Sequence, residues 1–131
     1  MNEEIKNSVS KTITLWEKGW ALGSPKIIAS VYTEECIFYS TIGSDLITSS
    51  LGVRKYFEET FSSVQGVTAS VETLHWVQST DTFVTVGGML YFDLIDRQKI
   101  PARVVWGFRK ESGKWLINSH HSSIIARSLP T

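Results

Sequence analysis

Apolar residues open the chain at spacings of four and three. Ile5, Val9, Ile13, Trp16 and Trp20 fall on one stripe of a helix. Asn2 suits its N-cap, Glu3 and Glu4 stand where the helix dipole favours negative charge, and Gly23 suits a left-handed stop. Ser24-Pro25 restarts the chain as N-cap and first helical residue. Ile27, Ile28, Val31 and Tyr32 supply the buried side of this second, shorter helix. Glu35 to Thr41 is rich in strand formers, and a turn-rich stretch runs from Ile42 to Ser50. Ser49 or Ser50 caps a third helix. Along it Val53, Tyr56, Phe57, Thr60, Phe61 and Val64 keep helical spacing, and Gln65-Gly66 ends it.

From Val67 the period changes to two. Strand-like runs cover Thr68–Gln78, Phe83–Leu94, Lys99–Lys110 and Lys114–Ile125, joined by links so short that they demand antiparallel hairpins. Long strands in a short chain must twist, and Gly87-Gly88 marks a bulge or bend point. The expected architecture is α+β: three N-terminal helices packed on a strongly curved, mostly antiparallel sheet, a cone formed by one domain over residues 1–131.

Charge narrows the function classes. Lys plus Arg equals Asp plus Glu, 13 of each, so neither nucleic acid nor an anionic membrane surface is an expected partner. The single cysteine, Cys36, has no internal disulfide partner, and the acidic start is unlike a signal peptide, so a cytoplasmic location is expected. No run approaches a membrane span. With no phosphate loop and no nucleophile elbow, no cofactor is expected. His75, His120 and His121 lack a carboxylate at ligand spacing, and adjacent strand histidines face opposite ways, so no metal is expected.

Three local patterns join the element order. They are Trp16-x3-Trp20-Ala21-Leu22-Gly23 with Tyr32 after it; Gly52-Val53-Arg54-Lys55-Tyr56-Phe57; and Arg103 through Phe108-Arg109-Lys110-x2-Gly113-Lys114-Trp115-x5-His121-x-Ser123. Together they resemble the SnoaL-like branch of the nuclear transport factor 2-like superfamily. The last is also similar to the ending of the calcium/calmodulin-dependent protein kinase II association domain. The resemblance implies a pocket-forming fold shared by ketosteroid isomerases, polyketide cyclases, dehydratases and an oligomerisation hub, among which fold alone cannot choose. It also sets Ser40 where the isomerase branch carries its aspartate base, and a lone serine takes no proton from carbon at neutral pH.

Parity along the last hairpin sorts the remaining candidates. A Ser112-Gly113 turn places Glu111 opposite Lys114. One face then carries Trp106, Phe108, Trp115, Ile117 and His121, and the other carries Arg103, Val105, Leu116 and His120. The first is the more apolar, so His121 is expected inside, as a satisfied core histidine or as a catalytic acid/base, with His120 outside. Arg103, mid-strand among apolar neighbours, calls for a salt bridge with Asp93 or Glu72, or for a ligand carboxylate. The latter is the role the resemblance implies, since related hub domains hold arginines in the pocket, and the two readings stand level. Trp16, Trp20, Tyr32, Tyr39, Tyr56, Tyr91 and Trp106 are candidate ligand-binding residues, although aromatics at such spacings also serve simply as core.

Two functions stay open. One is a domain that binds, with or without converting it in an isomerase-, cyclase- or dehydratase-like reaction, a small apolar molecule with a polar or carboxylate end. The other is a non-catalytic association module. Apolar residues on both sheet faces, Val84, Val86 and Leu90 alternating with Phe83, Met89 and Tyr91, point to a homodimer or larger homo-oligomer in either case.

Overall fold

The computed structural model describes residues 1–125. Helix α1 (Glu3–Leu22) begins where Asn2 Oδ1 accepts from the backbone N–H groups of Glu4 and Ile5, at 2.8 and 3.1 Å. It ends at Gly23, in the left-handed region at φ 59°. Ser24 caps α2 (Pro25–Ala29) by accepting from Ile27 N, and Ser49 caps α3 (Ser50–Ser63) by accepting from Gly52 N.

Six strands follow or interleave: β1 (Tyr32–Tyr39), β2 (Ile47–Ser49), β3 (Thr68–Thr80), β4 (Phe83–Asp93), β5 (Lys99–Glu111) and β6 (Lys114–Ile124). They form one sheet in the order β2-β1-β6-β5-β4-β3, with free edges at β2 and β3. Only β1 and β6 run parallel; every other pair is antiparallel. Tyr32 opens β1 instead of ending the second helix, and the short β2 lies within the stretch expected to be turn alone.

The helices cover one face of the sheet, and the core lies between. Val9, Ile13 and Trp16 of α1, Ile28 of α2 and Val53 and Phe57 of α3 meet Val84, Leu90, Val104 and Trp106 of the sheet, all buried. Polar ties hold the layers in register. Thr12 Oγ1 donates to Trp115 O at 2.6 Å, and Glu17 Oε2 accepts from Val71 N at 2.9 Å on the edge strand.

Of the register shifts along the sheet, two bear on the cavity and its wall. On β3, Glu72 pairs with Met89 and His75 with Gly87, so one extra residue is accommodated near Thr73, whose φ is 55°. The bulge therefore lies on β3, opposite Gly88, rather than at Gly87-Gly88 itself. Gly88 is needed there: a Cβ would stand 2.8 Å from Thr73 O and 2.8 Å from Leu74 Cδ2. On β6, Phe108 pairs with Ile117 but Gly107 pairs with Ser119, which leaves Asn118 as an extra residue.

Candidate functional site

The bulge at Asn118 corrects the expected parity. Up to Ile117 the inward residues are those expected, with Phe108, Trp115 and Ile117 all buried. Beyond Asn118 the alternation reverses. His120 and Ser122 then face the core, both 3% exposed, whereas His121 is exposed on the outer face with its ring 5.8 Å from that of Tyr39. Nothing in the hairpin turn signals the extra residue, so strict alternation from Ser112-Gly113 selects the wrong histidine.

His120 sits on β6 between Phe38 of β1 and Trp106 of β5, its partners in the ladder. Their rings lie 4.5 and 5.4 Å from its own. Its Nδ1 is 2.7 Å from Tyr32 Oη, and Tyr32 Oη accepts from Trp16 Nε1 at 3.2 Å. The donor inventory orients this chain. An indole N–H can only donate, so the tyrosine oxygen accepts from it, and the buried phenol proton is assigned to Nδ1 as the one acceptor within reach among the described residues. Nδ1 is then the acceptor, and the neutral ring carries its hydrogen on Nε2. That Nε2 is buried and has no partner among the described residues, and the same holds for the indole nitrogens of Trp20 and Trp106. Burial, followed by the charge of His121, lowers the pKa of His120 to about 3, so the ring is neutral at pH 7. Burial likewise raises that of Tyr32 well above its ordinary value.

A cavity of about 180 Å³ opens beside this histidine, lined by residues that include Trp16, Trp20, Phe38, Ser40, Tyr56 and His120. No Asp, Glu, Lys or Arg is among the described residues that line it. Ser40 Oγ accepts from Gly43 N at 2.9 Å, which leaves its hydroxyl hydrogen available. Thr41 Oγ1 and Ser122 Oγ hydrogen-bond to each other at 2.8 Å. The lining offers the donors His120 Nε2–H, Trp20 Nε1–H and the Ser40 hydroxyl, beside the hydroxyls of Tyr56 and Thr60, which can donate or accept. The cavity is suited to hold an uncharged molecule by an accepting atom. It offers no carboxylate to remove a proton.

The other expected site residues divide by face. Trp16, Trp20 and Tyr56 line the cavity, while Tyr32 and Trp106 are buried behind its wall. Tyr39 is exposed on the outer face, and Tyr91 lies 4.9 Å from Lys99 Nζ. Arg103 is exposed, pairs with Met89 and Ser123 across the outer face, and makes no ion pair among the described residues. It therefore stands outside the cavity rather than clamping a ligand within it. Among the described residues no three His, Cys, Asp or Glu side chains converge as a metal would require, and no helix is long and apolar enough to cross a membrane.

Solved structures share this architecture. A protein from Xanthomonas campestris, provisionally named a calcium/calmodulin dependent protein kinase II association domain, superposes with a TM-score of 0.79 at 23% identity, over 89% of this chain and 85% of its own. An NTF2-like protein of unknown function from Pseudomonas putida KT2440 reaches 0.84 at 14% identity, covering 94% and 88%. A provisionally named scytalone dehydratase from Novosphingobium aromaticivorans DSM 12444 reaches 0.79 at 11%, covering 95% and 87%. At these identities the likeness is one of fold. No curated protein matches the chain. Residues 9–127 match the family described as SnoaL-like domain, and the chain belongs to that family.

Proposed function

We propose that this domain binds a small, uncharged, largely flat apolar molecule through an accepting oxygen such as a carbonyl. The observation that carries the reading is the unpartnered, buried Nε2–H of His120 on the wall of an uncharged aromatic cavity. A buried donor without a partner costs about 1–3 kcal/mol, and a ligand oxygen relieves that cost. The size fits: a cavity of about 150 Å³ holds a benzene ring, and this one is about 180 Å³. A carboxylate would lose its hydration with no cation among the described lining residues to replace it, so the acidic end considered from the sequence is disfavoured. Conversion is disfavoured as well, because the accepting nitrogen of His120 is engaged by Tyr32 and Ser40 has no partner base.

Titration with acetophenone, ethylbenzene and benzoate, followed by tryptophan fluorescence, tests the reading. The ketone should bind roughly two- to tenfold tighter than the hydrocarbon, and His120→Phe should abolish the preference. Benzoate binding as the tightest of the three would overturn it.

A second reading, the homo-oligomeric association module, is favoured by the outer sheet face. Tyr39, His121, Val105 and Gly87 align in one row across it, with Ile37, Ser119 and Gly107 in the next. Ile37, Tyr39 and Val105 are exposed there, an apolar patch on a face that no helix covers. Light scattering should show a dimer or larger that Val105→Glu dissociates. A monomer at micromolar concentration would remove this reading without touching the first.

A further inference from the structure

The cavity changes character from its depth to its mouth. Its deep wall is aromatic and polar: Trp16, Phe38 and His120 are buried and line it. Its opening is aliphatic. Ile42, Val64 and Ile124 line the same cavity, yet are 79%, 42% and 51% exposed. They arrive from separate parts of the fold: the β1–β2 connection, the end of α3 and the end of β6. Half-buried Leu94 and Ile100, at the end of β4 and the start of β5, also line it. Aliphatic side chains gathered around an opening leave a continuous apolar track from the cavity into solvent, and none of the described lining residues is charged. The enclosed volume holds about one ring. Anything longer must leave through this collar.

From this gradient we infer that the ligand is elongated: an aromatic or cyclic carbonyl head seated against His120, and an unbranched alkyl tail lying across Ile42, Val64 and Ile124. The inference rests on the proposed donor-lined cavity and adds the tail. A methylene buried fully in such a track raises affinity about fourfold, and one covered on a single side about twofold.

The test is an alkyl phenyl ketone series, acetophenone, butyrophenone and hexanophenone, titrated against the wild-type chain, Ile42→Ser and Ile124→Ser. Both substitutions are at exposed positions and should leave urea unfolding unchanged. Affinity is expected to climb twofold to fourfold per methylene in the wild type. Each serine variant should flatten that climb while binding acetophenone as the wild type does. An affinity that falls as the chain lengthens, or climbs equally in the variants, overturns the tail with acetophenone binding intact. If acetophenone gains nothing over ethylbenzene while longer chains still bind through Ile42 and Ile124, the collar stands and the His120 donor falls. Absence of binding by the whole series overturns both.

Discussion

His120 is buried as a neutral ring, and that burial links folding to pH. In an unfolded chain a histidine titrates near 6.5; in the folded protein this one is lowered to about 3 by its burial and then by the charge of His121. Between those values the unfolded chain holds a proton that the folded one lacks. The contribution to stability is thus fully present above about pH 6.5 and declines as pH falls toward about 3. The slope approaches about 1.4 kcal/mol per pH unit, which integrates to about 2 kcal/mol between about pH 7 and pH 5. At 3% exposure little solvent screening reduces it. The informative variant is His120→Phe, which keeps a ring and removes the titration. It leaves Tyr32 Oη–H without its acceptor, a cost of about 1–3 kcal/mol at any pH. The variant also removes the unpartnered Nε2–H, which offsets that cost at about pH 7, so the quantity to read is the change with pH. Between about pH 7 and pH 5, urea unfolding should shift against the wild type by about 2 kcal/mol relative to the variant. Subtraction cancels the carboxylates common to both chains. Parallel pH curves for the two proteins would refute a neutral, buried imidazole.

Three further outcomes test the surrounding structure. Tyr32→Phe removes the acceptor of Trp16 Nε1 and the donor to His120 Nδ1, so it should cost roughly 1–3 kcal/mol for each group left alone. Long-range proton–nitrogen spectra should show the Nε2-protonated ring in the wild type and a tautomer mixture in the variant. Gly88→Ala should destabilise by about 1–3 kcal/mol in thermal unfolding, because its Cβ meets Thr73 O and Leu74, whereas Gly87→Ala, with nothing closer than Val104 O at 3.8 Å, should be tolerated. Arg103→Ala should change stability by no more than about 0.5 kcal/mol and leave ketone binding intact; a lost ligand shift would restore the arginine clamp.

The helices were legible because their signals are local. Asn2, Gly23, Ser24-Pro25 and Ser49 act through bonds to neighbours a few residues away, and the structure uses each as its chemistry suggests. The hairpins were equally legible, since short links leave little choice of partner. What alternation could not supply was the pair of bulges, because an extra strand residue answers to partners far off in the chain. From Asn118 onward that gap exchanged the two histidines. Arg103 misled for a related reason. Apolar neighbours in sequence suggested burial, but the adjacent Ala102 and Val104 lie on the opposite face, and its own face is open. The cavity's aromatic character was foreseeable from Trp16, Trp20 and Tyr56. The Tyr32–His120 bond was not, because it spans 88 residues.

Asn118 makes β6 a strand with two reading frames. Before it, odd positions point inward; after it, even ones do. The chain has a histidine at both 120 and 121, so a one-residue slip would exchange the inward ring rather than remove it. The same slip would turn Ser122 outward and uncouple the inward ring from the Tyr32 hydroxyl. Which imidazole reaches the cavity therefore depends on residue 118, which does not itself line it. In a related chain, whether the strand carries that extra residue, rather than the presence of a His-His pair or its distance from the hairpin turn, decides which ring faces the cavity.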